Sequence, residues 1–157
     1  IGKVNAAFKA FDVIQKTGCK TLLNLGTAGS SYFEGHSLVE VIQFVQRDMD
    51  VSPLGFPVGL TPMDHDHPAE IDLEAFFHDL PQGICGTGDS FETGVPKVAC
   101  NLVDMEGYAL AKVCKKLGVR LISVKYITDG ADDTAHLDWE ENLLLGAQKL
   151  LSLYKSM

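Results

Sequence analysis

Basic residues are scarce in this chain: 13 Lys and Arg stand against 21 Asp and Glu, for a net charge of −8. A surface so short of cations cannot neutralise a row of phosphates, which argues against nucleic acid and anionic membrane as partners. Long apolar runs are also absent. No stretch approaches the roughly 18 residues of a membrane span, and Ile1-Gly2-Lys3-Val4 does not read as a signal peptide. The four cysteines, Cys19, Cys85, Cys100 and Cys114, are scattered without a C-x-x-C pair. They read as buried free thiols of a reducing compartment, the cytoplasm. Repeats, low-complexity tracts and linkers are missing. What remains, 46% hydrophobic and 22% charged over 157 residues, is the composition of one globular domain with a real core.

Apolar spacing predicts the elements. Val4, Ala7, Phe8, Phe11 and Ile14 mark a helix over 2–17, closed by Gly18. Residues 21–25 read as a buried strand running into a small-residue loop, Gly26-Thr27-Ala28-Gly29-Ser30, and 37–46 as a long strand. Residues 47–80 read as loops with one short helix at most. Strands are expected at 83–87, 102–104 and 121–127, and a helix at 106–117 closed by Gly118. A last amphipathic helix is expected over 138–155, with Asp138 as N-cap and Leu143, Leu144, Ala147, Leu150, Leu151 and Tyr154 inward. Strands alternating with helices predict an α/β fold with a largely parallel sheet.

Two apolar runs end in carboxylates: Asn101-Leu-Val-Asp104-Met105-Glu106, and Lys125-Tyr-Ile-Thr128-Asp129. One helix separates them, which predicts Glu106 and Asp129 at one edge of a parallel sheet, where α/β folds bind ligands. Two acids there suggest one that grips a substrate and one that donates a proton. Each also has a plainer reading: Glu106 as a first-turn acid complementing the helix dipole, Asp129 as a turn former before Gly130. Gly26-Thr27-Ala28-Gly29 is either a tight turn or a loop offering N–H groups to a ligand; it is neither a dinucleotide fingerprint nor a Walker A loop. In Gly86-Thr-Gly88-Asp89-Ser90-Phe91, Phe91 either stacks on a flat base or fills the core. Asp132 and Asp133 read as caps or solvated acids. Asp64-His65-Asp66-His67 has metal-ligand residue types, but consecutive loop positions rarely converge on one ion; a solvated loop is expected, and no metal site. His136 reads as structural. Trp139, the only Trp, reads as core or as a pocket wall.

Taken together, Asn24-Leu-Gly26-Thr27-Ala28-Gly29, Gly86-Thr-Gly88-Asp89-Ser90-Phe91, Val103-Asp-Met105-Glu106-Gly107-Tyr-Ala109 and Ile127-Thr128-Asp129-Gly-Ala-Asp132 resemble, in order and spacing, the purine nucleoside phosphorylase/nucleosidase superfamily. Within it the chain is most similar to 5′-methylthioadenosine/S-adenosylhomocysteine nucleosidases. The resemblance spans nearly the whole chain and is weakest across 57–82. It implies a three-layer α/β sandwich around a central mixed, mostly parallel sheet, spread over 1–157 as a single domain lacking its first strands. It implies a nucleosidase that works without metal or organic cofactor on a small-molecule purine nucleoside. Asp129 matches the acid that protonates purine N7, helped by Thr128. Glu106 matches the carboxylate on the ribose hydroxyls, with Met105 against the ribose. Phe91 matches the aromatic that stacks on the base, and the backbone of Glu92 matches the group that reads the adenine edge. Thr27, Ala28 and Gly29 match the loop near the ribose and its nucleophile. Trp139 matches an aromatic of the base and 5′-substituent pocket. Val51, Leu54 and Phe56 match a segment donated to the neighbouring subunit's site, implying a homodimer.

The chemistry is consistent. Cleaving an N-glycosidic bond builds positive charge on the sugar and electron density on the departing base, which needs a proton. A carboxyl group has a pKa of roughly 4 in water and must be desolvated to serve as that acid. Carboxylates near the sugar stabilise the oxocarbenium-like state. Phosphorolytic relatives bind phosphate with an arginine two residues before the strand-end glycine. Here that position is Asn24, and neither Arg47 nor Arg120 lies at a phosphate motif, so water is the expected nucleophile. The family's water-activating Glu falls upstream of Ile1. The isolated chain is therefore expected to be slow or inactive, with an open sheet edge. Glu92 replaces a usual apolar residue, and is expected to alter the preferred base or substituent if its side chain enters the pocket.

Overall fold

The computed structural model describes residues 1–64, 69–92, 94–131 and 135–157, and for 135–141 the backbone alone. Helix α1 (Lys3–Thr17) leads into β1 (Thr21–Gly29) and β2 (Leu38–Gln46). After a 3-10 turn at Ser52–Leu54 come β3 (Glu70–Asp72), β4 (Gln82–Thr87) and β5 (Leu102–Asp104). Helix α2 (Gly107–Leu117), β6 (Arg120–Asp129) and α3 (Ala135–Ser156) complete the chain. Gly18 ends α1 in the left-handed conformation (φ 65°), its N–H donating to the Ile14 carbonyl, and Gly118 ends α2 the same way (φ 64°).

The sheet order is β3-β2-β4-β5-β1-β6, and β6 pairs again with β2, so the sheet curls back on itself. The pairs β1–β6, β2–β4 and β4–β5 are parallel; β2–β3, β2–β6 and β1–β5 are antiparallel. Strand β1 meets β5 at a single position, Gly29 opposite Val103. Helices cover both faces. Ile14 of α1 and Tyr108, Ala111 and Cys114 of α2 pack with Val41, Phe44, Leu121 and Ile127. On the other face, Leu150 of α3 packs with Val124 and Tyr126. Alternation along β6 thus feeds two cores, which is why its residues are buried from Leu121 to Thr128.

Four sequence expectations change. Gly26–Gly29 is the end of β1, not a loop. Small residues are needed there because a side-chain carbon at Gly26 would sit 3.2 Å from Lys125 Nζ, and one at Gly29 would strike the Asp129 carboxylate. Residues 47–80 contain a strand, β3, which lines up along β2. Helix α3 begins at Ala135, not at Asp138. Its wide leucine stripe also does not face inward: Leu144, Leu151 and Tyr154 are more than half exposed. The line of contact runs instead through Gly146 and Leu150, because Gly146 lies flat on the Tyr126 ring, where a Cβ would come within 2.6 Å.

Among the described residues no helix is long and apolar enough to cross a membrane.

Candidate active site

One cavity of about 320 Å³ opens where the ends of β1, β5 and β6 converge. Thr27, Ala28 and Gly29 come from β1, and Thr128 and Asp129 from β6. Met105 and Glu106 come from the junction of β5 and α2. Phe91 and Glu92 come from the loop after β4, and Arg47 follows β2 directly. Nine residues singled out in the sequence are therefore brought together. Trp139 lies outside the residues whose side chains are described, as do Asp132, Asp133, His136 and His65-Asp66-His67 of the acidic-histidine loop. Val51, Leu54 and Phe56 do not line this cavity; Leu54 is 71% exposed at the surface. Among the described residues no group of three or more His, Cys, Asp and Glu side chains is placed to hold a metal ion.

Glu106 and Asp129 share the cavity for a different reason from parallel adjacency. Strand β1 lies between β5 and β6, and β5 crosses only the tip of β1, at Gly29. A bulge between Ala28 and Gly29 brings Gly29 opposite Asp129. The Asp129 carboxylate fills the space that the glycine leaves open, and Glu106 lines the same cavity.

Asp129 is oriented at both oxygens. Thr128 Oγ1 donates to Oδ2 at 2.7 Å and the Ala131 N–H donates to Oδ1 at 3.0 Å. The carbonyl of Thr128 accepts from Asn142 Nδ2 of α3 at 3.0 Å, fixing the strand end from the second helix layer. Glu106 occupies the N-cap position of α2 but makes no capping bond through its side chain. Its Oε1 accepts the Gly2 N–H at 3.0 Å.

The cap is supplied by Asp104. Its Oδ2 accepts the Gly107 N–H at 2.9 Å and meets Lys125 Nζ at 2.7 Å, while Oδ1 accepts from Thr87 Oγ1 at 2.5 Å. Both charged groups are buried. Burial pushes the Asp104 carboxyl up, but the Lys125 charge and the three donated hydrogen bonds outweigh it and hold the group below the ordinary carboxylate value. Burial pulls Lys125 down, and the Asp104 charge more than reverses it. Cys85, beside this pair, has its thiol pushed well above the usual value by burial first and by the Asp104 charge second.

Sequence reasoning missed Asp104, Lys125 and Arg47. For Arg47 the signal was present: it directly follows a predicted strand at the ligand-binding edge. Its guanidinium is buried, donating from Nη1 to Ser90 Oγ at 3.1 Å and to Glu92 Oε2 at 2.8 Å. Nη2 donates to the Ser90 carbonyl. Glu92 thus does reach the cavity wall, but as the partner of a cation.

The comparisons agree with this geometry. The phosphorylase superfamily matches residues 1–157. An aminodeoxyfutalosine nucleosidase of Helicobacter pylori is 30% identical over 175 residues, covering all of this chain and 76% of that protein. A 5′-methylthioadenosine/S-adenosylhomocysteine nucleosidase of an Exiguobacterium is 32% identical over 164 residues, covering 91% of this chain and 70% of that one. The solved structure of the Helicobacter pylori 5′-methylthioadenosine/S-adenosylhomocysteine nucleosidase with butyl-thio-DADMe-Immucillin-A superposes with a TM-score of 0.89 at 27% identity, covering 99% of this chain and 75% of that one. The matching fold, the motifs that converge on one cavity and these similarities together place the chain in the phosphorylase superfamily, among relatives that are nucleosidases.

Proposed function

We propose that the cavity takes a purine nucleoside of the methylthioadenosine, S-adenosylhomocysteine or aminodeoxyfutalosine type and hydrolyses its N-glycosidic bond, releasing adenine. The observation that carries this reading is the placing of Asp129 and Glu106 in the lining of one cavity. Asp129, held by Thr128 and the Ala131 N–H, protonates the departing base at N7. Glu106, spared from capping by Asp104, binds the ribose hydroxyls and faces the positive charge that develops on the sugar. Met105 lies against the ribose, and Thr27, Ala28 and Gly29 border its nucleophile side. Phe91, half exposed at the cavity wall, stacks on the base, and the Glu92 backbone reads its edge. In a homodimer, Val51, Leu54 and Phe56 reach the neighbour's site; the exposure of Leu54 supports this.

Water is favoured over phosphate as nucleophile. Among the described residues Arg47 is the one arginine at the cavity, and its donors already serve Glu92 and Ser90. The test is adenine release from methylthioadenosine with and without phosphate, alongside calorimetric binding of the nucleoside. Release without phosphate supports the reading. Release that needs phosphate makes the protein a phosphorolytic relative. Binding without release, at high protein concentration, makes it a purine-binding module. The absence of both binding and release overturns the nucleoside site.

A further inference from the structure

We infer that Arg47 is a positioning residue that sets the wall carrying Phe91, acting through Ser90 and Glu92, and that Gly88 leaves the room its guanidinium needs. This rests on the cavity being a nucleoside site.

The loop after β4 has no regular structure around Ser90, Phe91 and Glu92, yet it carries the aromatic ring proposed to stack on the base. Arg47 is what fastens it. The backbone N–H of Arg47 donates to the Thr87 carbonyl at 2.9 Å, extending the β2–β4 pairing by one residue. From there the guanidinium passes under the loop, 4% exposed. It bonds the Ser90 hydroxyl, the Ser90 carbonyl and the Glu92 carboxylate. The residues on either side of Phe91 are therefore both fixed, while the ring between them is 49% exposed.

Gly88 is explained in these terms. A Cβ at Gly88 would lie 2.8 Å from the Arg47 Cζ and 2.9 Å from Nη1, whereas one at Gly86 would strike Cys100 Sγ at 2.7 Å and leave Arg47 at ordinary contact distance. The position just past β4 carries no side chain where the guanidinium runs. A planar fork serves three acceptors on two residues in one rotamer; a lysine ammonium is a point charge and does not span them. Its Nε is buried with no partner among the described residues. An unsatisfied donor is a cost that cores seldom carry, and here it accompanies the anchoring geometry. Fixing the wall in advance removes ordering entropy from ligand binding. The pair with Glu92 is also neutral, so this arginine is not an anion subsite.

The experiment uses ¹⁵N relaxation on ligand-free protein, compared with Arg47→Met, Arg47→Lys and Glu92→Ala, together with adenine binding by calorimetry. In the parent, Ser90, Phe91 and Glu92 are expected to have order parameters near those of the sheet, about 0.85. In Arg47→Met they fall below about 0.6 while β2, β4 and β6 keep theirs, and adenine affinity drops about tenfold, the scale of one anchoring hydrogen bond to a charge. Arg47→Lys recovers part of both. Glu92→Ala removes one anchor from the surface side and loosens the loop less, which supplies the answer if Arg47→Met does not fold. Unchanged order at 90–92 in the variants overturns the inference. So does loosening that spreads equally through β2 and β4, which would make Arg47 a general packing residue. The relaxation result stands without any ligand. A parent protein with an ordered loop that fails to bind adenine would overturn the nucleoside reading and leave the positioning role of Arg47 standing.

Discussion

Asp104 and Glu106 divide the start of α2 between them: Asp104 accepts the Gly107 N–H at 2.9 Å as the helix cap, and Glu106, at the N-cap position itself, makes no capping bond. A helix N-terminus leaves several N–H groups in need of acceptors. Both acids border the cavity; the one that satisfies an N–H is buried and paired with Lys125. Glu106 still stands at the positive end of the helix, while its neighbour Asp104 makes the capping bond.

Asp129→Asn is expected to lower adenine release by about 10²–10⁴-fold, the usual contribution of a general acid, with circular dichroism and melting temperature unchanged. Glu106→Gln is expected to cost about 10–100-fold in kcat/KM, the scale of hydrogen bonds to a charged group. Retention of full activity by Asp129→Asn would sink the assigned role. Where turnover is too slow to follow, Glu106→Gln is read by nucleoside affinity, and free adenine affinity should be untouched.

The Asp104–Lys125 pair predicts a stability profile with two limbs. Asp104 is held below its unfolded value of 3.8, so its contribution is complete above that value and is lost as pH falls through the lower folded value. Lys125 is held above 10.5, so its contribution is complete below that value and is lost as pH rises through the higher folded one. Urea unfolding of the protein and of Asp104→Asn/Lys125→Met should therefore differ by a constant amount from about pH 5 to 9, the difference shrinking only outside that range. Lys125→Met alone strands a buried carboxylate and should cost about 3–5 kcal/mol. A difference that already declines between pH 7 and 5 would contradict the assignment.

Gly146→Ala tests what seats α3. The added Cβ would lie 2.6 Å from the Tyr126 ring, so overpacking of about 1–3 kcal/mol is expected despite the better helix propensity of alanine. A rise in melting temperature would mean that α3 is seated by its leucines instead.

Thiol reactivity follows burial. Cys85 and Cys114 are each at most 1% exposed. Burial pushes the Cys114 thiol to about 11 and the Cys85 thiol well up. In the native protein, neither should react with a disulfide reagent at pH 8, and all four cysteines should react in urea. Mass mapping of fast-labelled sites on Cys85 would show that the strand beneath the cavity opens.

The sequence alone predicts most of the elements well, because periodicity and caps are local. Gly18 and Gly118 end helices wherever the chain goes next. The apolar runs before Asp104 and Asp129 are strands by composition alone. The motifs at 26–29, 86–91, 103–109 and 127–132 carry enough residue identity to point to the family before any contact is known. What local pattern does not encode is which neighbour comes close. Gly26–Gly29 has the composition of a loop, and becomes strand because it pairs with Lys125–Asp129 of β6. Leu143, Leu144 and Leu151 look like a core face, and the face is set by Gly146 against Tyr126.

Residue types, strand ends and the choice of two candidate carboxylates were therefore legible in the sequence. Their division of labour was decided in three dimensions, by pairings across long separations: Lys125 with Asp104 and Arg47 with Glu92. A buried charge is tolerated only beside its partner, and one-dimensional patterning does not record which partner the fold delivers.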